Sequence, residues 1–203
     1  MRLYVKTSAP SALKVLIFCD ESGRSVEQVE VDDPRSTKFL GLNPFGTVPV
    51  LVTDSGRPIA ESLTICHYLD RKWKSGLFGQ DDEEVLQVEV WERRAELHFY
   101  VPAIDRFHLM QSMSGDEAGH DGEAAKRLAS RVQRAAGIFN EQLELNRFVA
   151  GERFTAADIT AFLGVSGLIA LGAIDLSQFN GLRRWSEETG SRSSMNALRA
   201  IGM

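Results

Sequence analysis

The first third of the chain alternates short apolar runs with stretches of helical periodicity. Apolar residues cluster or alternate over a few positions in four places, which predicts strands at 3–5, 25–31, 48–52 and 57–60. Apolar residues that recur every three or four positions predict helices at 12–21, 35–42 and 61–74. The Asp54-Ser55-Gly56 turn favours an antiparallel hairpin between the last two strands. This order predicts a small α/β domain with a mixed sheet.

Strand patterns are absent from about residue 81 onward, and only helical periodicity remains. The predicted helices are 85–113, 123–146, 156–171, 182–188 and 194–201. Pro102 predicts a bend in the first of them, and Thr155 and Asp158 have the spacing of a capping box. We therefore predict an α/β domain at 1–78 and an all-α domain at 83–203, joined near residues 76–80.

Composition and charge narrow the class of protein. The 203 residues include 23 Lys and Arg against 28 Asp and Glu, giving a net charge of −5, and 43% are hydrophobic. These values exclude a disordered or fibrous chain, and the lack of a basic block argues against nucleic-acid binding. The charge is +1 over residues 1–78 and −6 over the remainder. An anionic ligand is therefore slightly better tolerated on the first domain.

The two cysteines and the apolar runs indicate in which cellular compartment the protein is expected. Cys19 and Cys66 lie in apolar surroundings without metal-ligand spacing, which predicts two buried thiols and neither a disulfide framework nor a metal site. The most apolar run, 159–174, is too short for a membrane span and contains three glycines. The N-terminal segment also lacks the pattern of a signal peptide. We expect a cytoplasmic protein without membrane insertion.

Two short motifs indicate binding chemistry. Pro49 opens a strand where it cannot donate a hydrogen bond, and a cis Val48–Pro49 bond costs only about 0.5–1 kcal/mol over trans. A cis bond would turn the Val48 backbone N–H and C=O outward, ready to pair with an extended peptide. At the next strand-to-helix junction, the Ser62 hydroxyl and free helix N–H groups can bind an anion, while Glu61 accepts from an ammonium. A trans proline and a plain helix cap are the alternatives.

These motifs resemble those of a known family. Residues 43–51 (NPFGTVPVL) and 61–69 (ESLTICHYL) are similar to the NPxGxVPxL and ESxxIxxYL patterns of the glutathione transferases. Phe154, Ala157 and Asp158 resemble the FxxAD element of the family's helical domain. The resemblance covers nearly the whole chain and implies the glutathione transferase fold, an α/β thioredoxin-like N-terminal domain followed by an all-α helical bundle. It also implies that Asp158 is a buried capping residue that supports folding.

The resemblance implies glutathione as co-substrate and no metal. Glu61 and Ser62 would bind its γ-glutamyl end, the Val48 backbone its centre, and Lys38 its glycyl carboxylate. The glutathione-binding residues implied in this way are Lys38, Thr47, Val48, Pro49, Glu61 and Ser62.

Catalysis in this family needs a glutathione thiolate, and a free Cys thiol titrates near 8.5. A hydroxyl donor at a helix N-terminus can lower the pKa of such a thiol. Ser11 is the first candidate, Ser8 the second and Tyr4 the third, a pattern closer to the serine and bacterial beta-type classes than to the tyrosine classes. Pro10 stands where the beta class has a cysteine, which counts against mixed-disulfide chemistry. A plain helix-capping role for either serine stays an alternative.

The electrophile is expected to bind between the domains, against the long helix of the second domain. The segment containing His98 resembles the beta-class segment that brings a His near the sulfur, with Phe99 in place of the lysine of that class, which suggests a more apolar pocket. Trp91, Arg94 and Tyr100 lie within a few turns of His98 and complete the predicted electrophile site. For each of them, a core or solvent-facing role is the alternative.

We therefore predict a glutathione transferase that conjugates glutathione to a hydrophobic electrophile, an activity associated with detoxification. A glutathione-dependent isomerase, dehalogenase or reductase is one alternative, and a non-catalytic binding module of the same fold is another. The resemblance also implies a homodimer.

Overall fold

A computed structural model describes residues 1–7, 9–112, 118–196 and 198. The described residues divide into two compact units. The first contains residues 1–77 and the described residues from Ser194 onward, and the second contains residues 78–193. The sequence-based domain limits of 1–78 and 83–203 stay a prediction beside this grouping.

The first unit is built on a four-stranded mixed sheet. Its strands are β1 (Arg2–Val5), β2 (Glu27–Glu30), β3 (Val50–Val52) and β4 (Pro58–Ala60). The strand order is β2-β1-β3-β4, with β1 parallel to β2 and the other pairs antiparallel. The mixed sheet and the antiparallel hairpin predicted from the sequence are both confirmed; β1 is one residue longer than expected, and the other three strands are one to three residues shorter.

Helices pack on the sheet because its central strands, β1 and β3, have apolar residues on both faces. The helices of this unit are α1 (Pro10–Glu21), α2 (Thr37–Leu40) and α3 (Ser62–Trp73). Leu3 and Val5 of β1 are buried, whereas Tyr4, which points to the opposite face, packs in a cluster with Phe39 of α2 and Val50 of β3. Helices α1 and α3 pack against each other through apolar faces that include Phe18 and Leu69. Helix α3 also contacts β3 and β4, so it connects α1 to the hairpin side of the sheet.

The second unit is helical throughout its described residues, as predicted. It contains α4 (Asp82–Ala95), a π-turn (Glu96–Tyr100), α5 (Val101–Ser112), α6 (Ala118–Leu145), α7 (Ala156–Ala170) and α8 (Asn180–Gly190), with a short 3₁₀ turn at Leu176–Gln178. Helix α7 is buried almost all round and contacts α4, the π-turn, α5 and α8. It forms the centre of this unit.

Two helix predictions differ from the structure. The expected single helix over 85–113 begins earlier, at Asp82, and is divided by the π-turn, so the interruption expected at Pro102 lies just before it. Helix α6 begins at Ala118, five residues before the predicted start. Its glycines cost about 1 kcal/mol each in a helix, and the apolar stripe that continues beyond them offsets that cost. Residues 113–117 lie outside the described residues, as do four of the eight residues of the last predicted helix, 194–201; its described start is a 3₁₀ turn at Ser193–Met195.

Candidate functional site

The loop before β3 is held in place by Asn43. This buried side chain donates through Nδ2 to the Thr47 carbonyl oxygen at 2.8 Å and to Thr47 Oγ1 at 2.9 Å, while its Oδ1 accepts from the Phe45 N–H. Gly46 adopts φ +62°, and a Cβ there would lie 3.1 Å from the Pro34 carbonyl oxygen. The loop therefore presents Thr47 and the residues after it in one fixed conformation.

The Val48–Pro49 peptide bond is cis, which confirms the prediction from the sequence. Pro49 is buried and Val48 is half-buried. In the described part of the chain, the Val48 N–H has no hydrogen-bond partner, whereas its carbonyl oxygen accepts from Ser11 Oγ at 2.9 Å. The outward C=O expected from the sequence is thus already engaged by one donor, and the N–H is the group left open for a ligand.

Ser11 lies in the first turn of α1, after Pro10, which starts the helix because its fixed φ and missing N–H suit that position. The helix has no side-chain cap and no acidic residue in its first turn. Ser11 is half-buried, and its hydroxyl contacts the cis-proline loop. The predicted thiolate donor and the predicted peptide-binding backbone are therefore in direct contact. Ser8, the second candidate, lies outside the described residues. Tyr4 packs its ring 6.4 Å from that of Phe39, in keeping with a core role.

The second motif forms the junction between β4 and α3. Glu61 is exposed and adopts φ +66° and ψ +117°, an unusual conformation for a residue with a side chain. Helix α3 begins at Ser62, and among the described residues the N–H groups of Ser62 and Leu63 have no partner. Glu61 does not cap the helix with its side chain, so its carboxylate remains directed to solvent. This junction offers helix N–H donors beside a carboxylate.

The sheet register brings the two motifs to one end of the hairpin. Val50 pairs with Ala60 in the antiparallel β3–β4 ladder. Continuing that register past the strand ends places residues 48 and 49 opposite residues 62 and 61. The Val48 backbone, the Ser11 hydroxyl and the start of α3 therefore lie at the same edge of the first unit.

Lys38 lies in α2, beside the cluster of Tyr4, Phe39 and Val48. It is exposed in the short helix α2 and borders a cavity of about 340 Å³ that Tyr4, Glu30 and Asp33 also line. Because these carboxylates border the same cavity, a ligand carboxylate near Lys38 would also meet negative charge. Residues that border this cavity, among them Tyr4, Phe39 and Leu42, pack in the same cluster as Val48.

The predicted electrophile residues of the helical unit divide into two groups. Arg94 lies 4.5 Å from the centre of the Trp91 ring, and Trp91 meets Phe139 edge-on at 5.0 Å. Arg94 and His98 also border a cavity of about 460 Å³ against α6, which we call the arginine cleft. Its lining residues are Arg94, His98, Arg131, Arg134, Ala135, Ile138 and Phe139. Tyr100 does not line this cleft.

The positive charge of the arginine cleft could not be predicted from the residues of α4 alone, because two of its arginines lie on α6. Burial, followed by the charges of Arg131, Arg94 and Arg134, lowers the pKa of His98. Phe99 is fully buried against Phe139 at 4.6 Å, so the residue expected to make the pocket apolar belongs to the core instead. Arg131 and Arg134 were missed because they lie on α6, although their spacing to Ile138 marks one helix face.

The described residues contain no group of three or more His, Cys, Asp or Glu side chains arranged to hold a metal ion. Within the same residues, each helix is too short or too polar to cross a membrane. Cys19 and Cys66 are buried free thiols, and burial followed by the charge of Asp20 raises the pKa of Cys19 to about 12. Neither thiol is therefore available as a nucleophile.

Known proteins are similar to this chain in sequence and in structure over both units. Glutathione S-transferase 2 of Saccharomyces cerevisiae is 29% identical over 99% of this chain and 90% of its own length. Elongation factor 1-gamma of Danio rerio is 32% identical over 62% of this chain but only 27% of its own length. A crystal structure of a glutathione S-transferase domain-containing protein from Marinobacter aquaeolei is 29% identical, with a TM-score of 0.85 over 96% of this chain and all of that one.

Sequence profiles assign both parts of the chain. Residues 9–72 match the profile of the glutathione S-transferase N-terminal domain, and residues 95–192 match that of the C-terminal domain. Together these profiles span most of the sequence and include the cis-proline loop, the start of α3 and the buried helix α7. The chain belongs to the glutathione S-transferase family.

Proposed function

We propose that this protein is a glutathione transferase, which joins the sulfur of glutathione to an electrophilic carbon of a hydrophobic compound. The observation that carries the proposal is the contact between the Ser11 hydroxyl and the Val48 carbonyl, at the same sheet edge as Glu61 and Ser62. A donor for sulfur, an open backbone N–H and a helix N-terminus are grouped there. Membership of the family supports the same activity.

Glutathione binding uses the backbone more than the side chains. The Val48 N–H and carbonyl pair with the cysteinyl part of the tripeptide, beside Pro49 and Thr47. The Ser62 hydroxyl and the first N–H groups of α3 bind the γ-glutamyl carboxylate, while Glu61 accepts from its ammonium. Lys38 is the remaining candidate, for the glycyl carboxylate, and is the weakest because of the acidic groups around its cavity.

Catalysis requires Ser11 to exchange one hydrogen-bond partner for another. In the structure its hydroxyl donates to the Val48 carbonyl. When the cysteinyl sulfur occupies the site, the hydroxyl rotates and donates to the thiolate, whose proton has passed to solvent. The sulfur then forms a bond to the electrophilic carbon, and the leaving group departs with its electron pair. The N-terminus of α1 adds a favourable dipole for the anion.

The experiment that tests this proposal compares Ser11→Ala with Ser22→Ala. Ser22 ends the same helix, and its hydroxyl also donates to a backbone carbonyl, that of Phe18, at 2.7 Å. We expect Ser11→Ala to raise the pKa of bound glutathione by about one unit and to lower kcat/KM about 10–100-fold. Ser22→Ala should leave both unchanged.

Retention on immobilised glutathione provides the second measurement. The proposal predicts that wild type and both variants are retained. Loss of conjugation in wild type despite retention would leave only a binding function, and absence of retention would remove every glutathione-dependent function.

A non-catalytic module is the second candidate function. Its support is the similarity to elongation factor 1-gamma and the engagement of Ser11 by a carbonyl in the described structure. The glutathione-dependent isomerase, dehalogenase and reductase alternatives use the same binding edge. For the reductase, Pro10 occupies the place of the expected cysteine. Assays with a disulfide substrate and with haloacids would separate the reductase and the dehalogenase from conjugation.

We further propose that the protein is a cytoplasmic homodimer that serves detoxification. Support for the compartment comes from the two buried free thiols, which suit a reducing environment. Support for the dimer comes from Phe45, whose ring is 83% exposed at the tip of the cis-proline loop.

A further inference from the structure

The arginine cleft collects positive charge from two helices of the same unit. Arg94 and His98 are four residues apart at the end of α4 and in the π-turn. Arg131, Arg134 and Ile138 have i, i+3, i+7 spacing and form one face of α6. The two faces border one cavity of about 460 Å³. Three guanidinium groups and an imidazole thus share a space large enough for a small aromatic compound.

The described residues that line the cleft include no carboxylate, and the carboxylates of Asp105 and Glu123 border a second cavity that Arg131 also lines. Among the side chains that the structure describes, no carboxylate forms a salt bridge with Arg94, Arg131 or Arg134. By contrast, Arg93, next to Arg94, pairs with Glu96, and other arginines of this unit have a carboxylate partner as well, namely Arg147, Arg153 and Arg184. Three arginines without a carboxylate partner among the described residues therefore border one cavity.

This grouping costs stability. Arg131 and Arg134 are neighbours on one helix face, and like charges at that spacing are destabilising. The whole chain carries a net charge of −5, so the positive cleft is a local feature and not part of a generally basic surface. A local arrangement that opposes folding stability is expected where it serves function. An anion bound in the cleft would remove the repulsion.

The side chains of the cleft are also arranged in a way that suits a flat ligand. The Arg94 guanidinium is held by stacking on Trp91, and Trp91 is held in turn by Phe139. Ala135, Ile138 and Phe139 supply apolar surface beside the charged groups. Because the pKa of His98 is lowered, its imidazole is neutral at neutral pH and can accept or donate a hydrogen bond. A guanidinium fixed in this way loses little entropy when it binds a carboxylate.

We infer that the arginine cleft binds an organic acid, with its carboxylate between the guanidinium groups and its aromatic ring against Ile138 and Phe139. The acid is then the electrophile, so the substrate class is an acidic aromatic compound rather than a neutral one. This last step rests on the proposed function, whereas binding of the acid does not.

The test compares two compounds that differ only in charge, 4-chloro-3-nitrobenzoate and 4-chloro-3-nitrobenzamide. Binding of each to the full chain is measured by equilibrium dialysis without glutathione. We expect the benzoate to bind at least tenfold more tightly than the benzamide. Arg131→Gln and Arg134→Gln should each weaken benzoate binding about tenfold and leave benzamide binding unchanged.

The matched control is Arg183→Gln. Arg183 is an exposed arginine of α8 in the same unit, it bonds to Asn180, and it does not line the cleft. This variant should bind the benzoate as wild type does. Equal binding of the two compounds, or a benzoate affinity that neither cleft variant changes, would overturn the inference.

Conjugation to glutathione is then measured for both compounds. A lower KM for the benzoate, raised by the two cleft variants only, supports the acidic substrate class. A protein that binds the benzoate through the cleft but conjugates neither compound would support the binding site and contradict the transferase proposal. A protein that conjugates both compounds with equal KM in all variants would contradict the substrate class while leaving the transferase proposal standing.

Discussion

At the scale of single residues, Asp158 joins three separate segments of the helical unit. Its Oδ1 accepts from the Val149 N–H and from Trp185 Nε1, and its Oδ2 accepts from the N–H and hydroxyl of Thr155. The capping box predicted from the sequence is present at the start of α7. Burial raises the pKa of this carboxyl to about 6, with the four donors opposing the rise. The group is structural, as the sequence suggested.

Replacing Asp158 with Asn should reveal this shifted titration. The pKa of Asp158 in the folded protein lies above the unfolded value of 3.8. The contribution of this carboxyl group to the free energy of unfolding is therefore fully present below about pH 4 and is lost as pH rises through about 6. The unfolding free energy of wild type minus that of Asp158→Asn should therefore fall by about 3 kcal/mol between about pH 4 and pH 7. Denaturant titrations at several pH values measure it.

Asp175 supplies a control of opposite sign. Its pKa is lowered by hydrogen bonds from the Ser177 N–H and hydroxyl, so its contribution is present above pH 3.8 and is lost as pH falls. The advantage of wild type over Asp175→Asn should not decrease as pH rises. A pH-independent difference for Asp158→Asn would contradict a raised pKa.

At the scale of elements, the π-turn between α4 and α5 is matched to helix α7. The Val101 N–H donates to the Glu96 carbonyl, five residues back, immediately before Pro102, which cannot donate. Gly164 of α7 faces this turn, and a Cβ there would lie 2.6 Å from the Phe99 carbonyl carbon and from the Tyr100 nitrogen. The two backbones are therefore close enough that no other residue fits.

Gly164→Ala should destabilise the protein by about 3 kcal/mol or more, because the methyl group would overlap backbone atoms that cannot move separately. The matched control is Gly137→Ala in α6, where a Cβ meets no atom within 4 Å. That change should stabilise by up to about 1 kcal/mol through the helix propensity of alanine. Thermal unfolding of both variants decides the matter, and equal effects would contradict close packing at the π-turn.

At the scale of the whole molecule, large exposed apolar side chains are the feature that bears on assembly. Phe45 and Leu145 are each 83% exposed, Phe45 in the first unit and Leu145 at the end of α6 in the second. Phe45 lies in a loop fixed by the Asn43 side chain, whereas Leu145 is the last residue of its helix. A rigidly held aromatic ring is the better anchor for a partner surface.

Phe45→Ser should weaken the proposed homodimer at least tenfold, as measured by sedimentation equilibrium. Leu145→Ser removes an equally exposed apolar side chain and should leave the dissociation constant unchanged. A wild-type protein that stays monomeric at high concentration would refute the dimer, and equal weakening by both changes would refute the role of Phe45.

Features encoded by neighbouring residues were predictable from the sequence. The cis bond before Pro49, the hairpin and the Glu61-Ser62 junction all depend on motifs a few residues long. The π-turn was not predictable, because it depends on Gly164, more than sixty residues away along the chain. The Ser11–Val48 bond joins residues 37 apart, and the arginine cleft combines two helices. Contacts of this kind depend on packing, which periodicity does not specify.

The backbone of Glu61 has a consequence for the evolution of this protein. Its positive φ costs on the order of 1–3 kcal/mol for any residue with a Cβ, and glycine would remove most of that cost. Selection for heat resistance alone would therefore favour glycine at this position, and the carboxylate would be lost. A chain that keeps glutamate there accepts the strain and retains a carboxylate beside the N–H donors at the start of α3.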